Sequence, residues 1–110
     1  MKISDLTKEI KSLEIAYPTG QKDFPVALEY RTQAVTVDFM RSIETALPLD
    51  RVIKQIEKIV VKWDLQDDDK QVIPITEEAI INNKIPVNLL LFILERLSTD
   101  ARSLREAKND

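Results

Sequence analysis

The sequence predicts a small α+β domain that is mainly helical, with an N-terminal β-hairpin packed on three or four helices. Two short runs near the N-terminus alternate apolar and polar residues, whereas most later apolar residues recur at helical spacing. The chain of 110 residues contains one glycine and five prolines, which favours helices over an all-β fold with many glycine-bearing hairpins. At this length we expect one domain, spanning residues 1–110, with a modest hydrophobic core.

The β-hairpin is predicted at residues 11–31, after an N-terminal arm at residues 1–10. Apolar residues alternate with small or polar ones over residues 11–17 and again over residues 24–30, which is the pattern of a half-buried strand. The segment between the two runs holds the single glycine, Gly20, where a turn needs it. Because a lone hairpin is only marginally stable in water, one face of it must pack on helices.

The helical part is predicted over residues 32–98, and its first helix spans residues 35–47. The apolar residues of this helix recur three or four positions apart. Either Thr32 or Thr36 can serve as its N-cap, and Pro48 ends it.

The second helix is predicted to follow Leu49-Asp50, with Asp50 as its cap or as a carboxylate of its first turn, and to continue to Trp63. Lysine and glutamate side chains fill its polar face. Its apolar stripe consists of Val52, Ile53, Ile56, Ile59, Val60 and Trp63.

A polar connection at residues 64–74 leads to two further helices. Thr76 is a favourable N-cap for a short helix whose first turn is acidic. Pro86 suits the first turn of the last main helix, which is predicted to run to Ser98. Residues 99–110 form a polar tail of alternating charge, which is either a solvated extension of this helix or a frayed end.

The composition disfavours most enzyme classes. The chain has no cysteine and no histidine, so it lacks a thiolate nucleophile, the commonest general base and the commonest transition-metal ligand. We therefore expect a protein that is not an enzyme and needs no cofactor or metal. The lack of cysteine fits a reducing cytoplasm. No apolar run approaches the ~20 residues that span a bilayer, so no membrane association is expected.

The net charge of −3 is unevenly distributed along the chain. Residues 64–78 hold six carboxylates and one lysine, and no basic stripe occurs elsewhere, so nucleic-acid binding is not expected. The acidic run at residues 67–69 does not have the spacing of a calcium loop. Counted from Asp64 or from Asp67, the sixth position is Asp69 or Val72, where that loop needs glycine.

The best candidates for partner binding are Trp63 and the apolar run at residues 89–94. Trp63 can complete the core stripe of its helix or can anchor a partner at an interface. The run holds more apolar residues than one core-facing stripe needs, so the last helix is either buried on all sides or presents an exposed patch. We take Trp63, Leu89, Phe92 and Ile93 as the candidate partner-binding residues.

Three motifs follow one another in the second half of the chain. They are Lys62-Trp63-Asp64-Leu65 with its acidic turn, Pro74-Ile75-Thr76 with Glu77-Glu78-Ala79, and Ile85-Pro86-Val87 followed by Leu89-Leu90-Leu91. This series resembles the small tail assembly chaperones of long-tailed bacteriophages. The strand at residues 26–31, with the linker and helix after it, is similar to their N-terminal half, so the resemblance covers residues 11–97. Lys70 departs from the family pattern, in which many members place glycine after the acidic turn.

The resemblance implies a non-catalytic protein of the host cell cytoplasm. Such a chaperone binds the long, aggregation-prone tape measure protein before the tail tube polymerises, and then leaves it. Self-association through the same surface or through the hairpin edge is a further expectation. The first alternative is a structural virion component, such as a tail completion or head–tail joining protein. The second is a host-type interaction module or antitoxin-like regulator, and the last is a small enzyme.

Overall fold

The α+β class predicted from the sequence is confirmed, although the sheet has three strands where a two-stranded hairpin was predicted. A computed structural model describes residues 9–44 and 48–108. The sheet is antiparallel with strand order β1-β2-β3. The elements in chain order are β1 (Ile10–Tyr17), β2 (Phe24–Arg31), a 3-10 turn (Thr32–Ala34), α1 (Val37–Glu44), α2 (Leu49–Ile59), β3 (Val60–Trp63), α3 (Glu77–Asn82) and α4 (Val87–Lys108).

Strands β1 and β2 form the predicted hairpin. Eight consecutive residue pairs join them, from Ile10 with Arg31 at one end to Tyr17 with Phe24 at the other. Gly20 in the connecting turn has a φ of +91°, a backbone conformation that residues with a side chain rarely adopt. The only glycine of the chain is therefore used where its conformational freedom is needed.

The two faces of the sheet have different environments. On the inner face, Ile15, Val26 and Leu28 are buried in the hydrophobic core. On the outer face, Ser12 and Ala27 are exposed. This alternation follows the period of two that the sequence shows in both strands.

The prediction that the second helix continues to Trp63 is wrong, because α2 ends at Ile59 and the next four residues form β3. The register shifts between β2 and β3, so Val61 is an extra residue in a β-bulge. Residues three apart in a regular strand point to opposite faces, but the bulge lets both Val60 and Trp63 enter the core. Buried residues three positions apart are also typical of a helix, which explains the wrong prediction. The paired residues are Tyr30 with Val60, Glu29 with Lys62 and Leu28 with Trp63.

Helices α1 and α3 begin where predicted caps lie, whereas α2 begins directly after Pro48 without a side-chain cap and has Asp50 in its first turn. Thr36, one of the two proposed caps, accepts a hydrogen bond from the backbone N–H of Phe39 at 3.2 Å ahead of α1. Thr76 accepts one from the third residue of α3, also at 3.2 Å. Helix α4 begins directly after Pro86, whose carbonyl accepts a hydrogen bond from the backbone N–H of Leu89.

Two predicted segments lie partly outside the described residues. They are the N-terminal arm, at residues 1–8, and the end of the first predicted helix, at residues 45–47. At the other end of the chain, α4 continues past Ser98 to Lys108. The helical extension, rather than a frayed end, is therefore the structure of residues 99–108.

One hydrophobic core joins the inner face of the sheet to the helices, with α4 in contact with β1, α1 and α2. Complete burial of a large aliphatic side chain stabilises a fold by roughly 1.5–3 kcal/mol, so packing of the helices on the sheet stabilises the domain. Helix α2 contributes Val52, Ile53, Ile56 and Ile59, and helix α4 contributes Leu89, Leu90, Ile93, Leu94 and Leu97.

The predicted connection after β3 contains a second, smaller hairpin at residues 65–73, which an isolated antiparallel bridge closes. The Asp67 carboxylate accepts hydrogen bonds from the backbone N–H groups of Asp69 at 2.9 Å and Gln71 at 3.0 Å. Lys70 lies between them with a φ of +63°, in the left-handed region that favours glycine. Lys70 therefore occupies a position where the backbone itself favours glycine.

Replacing Lys70 by glycine is expected to raise the free energy of unfolding by about 1 kcal/mol. A residue with a side chain costs roughly 1–2 kcal/mol in the left-handed region, and glycine avoids this cost. Part of the gain is offset because glycine loses more backbone entropy on folding. Urea denaturation followed by tryptophan fluorescence measures the change. Lys70→Ala is the matched control, since it removes the charge but keeps Cβ. Equal stabilisation by both substitutions would assign the effect to the charge and contradict the backbone explanation.

Candidate binding surface

The structure places three of the four candidate partner-binding residues in the core. Trp63 is 2% exposed, Leu89 6% and Ile93 0%. Side chains buried to this degree do not reach a partner while the domain stays folded. For these three residues, the structure shows the core alternative that the sequence had left open. Phe92 differs from them, because it is only partly buried.

Trp63 holds β3 against the second hairpin. Its indole Nε1–H donates a hydrogen bond of 2.7 Å to the backbone carbonyl of Ile73. A buried indole needs such an acceptor, because an unpaired buried N–H costs about 1–3 kcal/mol. The tryptophan of the first motif therefore fixes the residues that lead into the second motif.

Phe92 belongs to an aromatic patch that also includes Tyr17 and Phe24. The rings of Tyr17 and Phe92 meet edge to face, with centroids 5.3 Å apart and an interplanar angle of 67°. Phe24 is the cross-strand partner of Tyr17, so their side chains lie on the same face of the sheet. Phe24 is 46% exposed. We call Tyr17, Phe24 and Phe92 the aromatic patch.

Helix α4 carries two further apolar side chains that are not fully buried. Val87 is exposed and Leu91 is partly buried, and the two residues lie one helical turn apart, about 100–140° around the helix from Phe92. A row of partly exposed apolar side chains of this kind suits contact with the apolar side of another helix.

Of the three patch residues, only Phe92 was a candidate for partner binding from the sequence, and Tyr17 and Phe24 were missed. Alternation along the strands placed both of them on the inner face, which is correct. Their position at the turn end of the hairpin is the signal that was missed. The end of an inner face is where a covering helix leaves side chains partly open to solvent.

A polar cluster ties the sheet to the C-terminal half of α4. The Lys11 ammonium contacts both carboxylate oxygens of Asp100, at 3.0 and 2.9 Å, and the buried Tyr30 hydroxyl donates a hydrogen bond to the same carboxylate. Burial, together with the adjacent Asp100 carboxylate, raises the pKa of Tyr30 well above its usual value. Burial alone would raise the pKa of Asp100. The hydrogen bonds from Tyr30 and Lys11, with the charges of Lys11 and Arg96, outweigh that effect and hold this pKa below its usual value.

The outer face of the sheet carries an open groove of about 450 Å³. Ala27 forms its floor, with Glu14 opposite on β1 and Asp64 opposite on the other side. Asp64 prolongs the pairing beyond β3, because its N–H donates to the Ala27 carbonyl and its carboxylate accepts from the Ala27 N–H, both at 3.0 Å. Polar and small side chains line most of this groove, in contrast to the aromatic patch.

Within residues 9–44 and 48–108, no three Asp, Glu, His or Cys side chains are grouped so that they could hold a metal ion. None of the helices in that part of the chain is long and apolar enough to cross a membrane. Comparison of the chain with protein-family models, curated proteins and solved structures finds no match.

Replacing Asp100 by asparagine is expected to lower the free energy of unfolding at neutral pH by about 1–2 kcal/mol, because the charged hydrogen bonds of Asp100 are lost. The loss is no larger because Lys11 is partly exposed, which weakens its ion pair with Asp100. The folded state lowers the pKa of Asp100, so its contribution is fully present above the unfolded pKa of about 3.9. It is lost as the pH falls through the lowered pKa. Urea denaturation at several pH values should therefore show the gap between wild type and variant closing in acid. Asp68→Asn, an exposed carboxylate, is the control; a gap that stays constant would contradict the assignment.

Replacing Ile93 by serine is expected to destabilise the fold by roughly 2–5 kcal/mol, as for other large-to-small losses in a core. Phe92→Ser should cost less, because its side chain is only partly buried. Thermal denaturation followed by circular dichroism measures both. Equal losses for the two variants would show that Phe92 is as much a core residue as Ile93.

Proposed function

We propose that this protein is a non-catalytic tail assembly chaperone, which binds the tape measure protein of a long-tailed bacteriophage in the host cytoplasm before the tail tube polymerises. The resemblance over residues 11–97 names the partner. The observation that carries the binding role is the aromatic patch, where Tyr17, Phe24 and Phe92 are only partly covered by their own chain.

The contacts among the motif residues support this proposal. Trp63 of the first motif bonds to Ile73, directly before the second motif, and Thr76 of the second motif caps α3. Helix α4, which begins within the third motif, then contributes Phe92 to the aromatic patch. The three motifs thus lie along the segment that leads to this helix and to its contribution to the patch.

The chemistry of the aromatic patch favours a helical client. Aromatic side chains offer a large contact area at a small cost in side-chain entropy, which suits docking of the apolar stripe of an amphipathic helix. A tape measure protein is long and prone to aggregate, so it exposes such stripes before assembly. The charged residues, 32% of the chain, would keep the complex in solution.

Co-expression with the tape measure protein of the same genome tests the proposal. The wild-type chain is expected to increase the soluble fraction of the tape measure protein and to co-purify with it. Phe24→Ser should reduce co-purification at least severalfold, because loss of a partly exposed aromatic anchor costs more than 1 kcal/mol of binding free energy. Its melting temperature should change little, since Phe24 is 46% exposed.

Ile81→Ser is the matched control, because Ile81 is 55% exposed and lies on α3, outside the aromatic patch. It should leave co-purification unchanged. Equal losses for Phe24→Ser and Ile81→Ser would remove the patch from the proposal. No solubilisation by the wild-type chain would contradict chaperoning, and detection of the chain in purified virions would then identify a structural component of the particle.

A further inference from the structure

The free edge of β1 is the least protected part of the sheet. Among the described residues, β1 and β3 are the two outer strands. An outer strand presents unpaired backbone N–H and C=O groups, which can pair with a strand of another chain. Proteins prevent such pairing with short strands, bulges, prolines or charged side chains on the edge.

Strand β3 has this protection, whereas β1 has little of it. Strand β3 is four residues long and contains the bulge at Val61. Strand β1 is eight residues long, has no proline and pairs with β2 without a register shift. Its single lysine, Lys11, is held by Asp100 at 2.9 Å, so this ammonium group keeps its partner when β1 pairs with another strand.

We propose that two copies of this chain pair through β1, antiparallel and about a two-fold axis, to form a continuous six-stranded sheet. A second copy suits this edge because an identical strand can pair with β1 without setting like charges opposite each other: a register centred on Leu13 places Lys11 opposite Ile15 and Glu14 opposite Ser12. A two-fold axis perpendicular to the sheet also keeps the inner faces of both copies on the same side. This dimer does not depend on the tape measure client.

The side chains of β1 determine the register of this pairing. A register centred on Glu14 would oppose the two Glu14 carboxylates, and like charges directly opposite each other are destabilising. A register centred on Leu13 keeps nearly the whole strand paired and sets Ser12 opposite Glu14 of the second copy. It also brings Ala16 of the second copy beside Ile10, which is 51% exposed in the single chain.

The dimer is expected to be weak. One pair of edge strands buries much less than the roughly 800 Å² per partner of a stable interface. It therefore forms as the protein concentration rises and dissociates on dilution. Sedimentation velocity over a range of concentrations is the first test, with the expected result a reversible monomer–dimer equilibrium.

Two substitutions of the exposed Ser12 test the edge and the register together. Ser12→Glu sets two Glu–Glu pairs across the two-fold axis and should raise the dissociation constant roughly threefold to tenfold. Ser12→Lys sets two Lys–Glu pairs and should lower it by a similar factor. Gln66→Glu is the control, because it adds the same charge at an exposed position outside the three strands and should change nothing.

Ser12 also lies opposite Glu29 within its own chain, so either substitution can change the stability of the monomer. The melting temperatures of both variants are therefore measured at a concentration at which only the monomer is present. Hydrogen exchange supplies an independent readout: amides of residues 10–17 should gain protection as the concentration rises, while those of β3 should not. A chain that stays monomeric at every concentration would overturn the proposal. A dimer that responds equally to Ser12→Glu and Ser12→Lys, or that protects β3, would also overturn it.

Discussion

Burial of the Trp63 indole is the constraint on which the other parts of the structure depend. The bulge in β3 turns this side chain into the core, and its N–H must then find an acceptor there, which is the carbonyl of Ile73. That single bond requires the chain to fold back after the acidic turn. The second hairpin and then α3 follow in sequence, and α3 packs against α2.

Different residues of the same elements stabilise the core and form the exposed surface. Trp63, Leu89 and Ile93 hold β3 and α4 in the core, while Phe92 on the same helix meets Tyr17 at the surface. A sequence motif can thus reflect the scaffold that positions an exposed residue. The exposed residues themselves need only be apolar and correctly placed, which is a weaker constraint on sequence.

The hairpin, the caps at Thr36 and Thr76 and the start of α4 were predictable because they depend on local chemistry within a few residues. Strand β3 was not, because a bulge gave Val60 and Trp63 the spacing of a helix, and only pairing with the distant β2 separates the two possibilities. The burial of Leu89 and Ile93 was likewise undecidable locally, since it depends on how completely other elements surround α4. The aromatic patch was predicted only at Phe92, because its other two members are brought to it by the hairpin.

The contact of Lys11 with Asp100 has a consequence for synthesis of the chain. These residues are 89 positions apart, so the cover of the first strand is among the last parts of the domain to be made. Until α4 leaves the ribosome, the apolar side of the hairpin has no partner from that helix, and folding must wait for contacts that are distant in sequence. A protein proposed to shield another from aggregation would thus pass through a stage in which its own first strands lack cover.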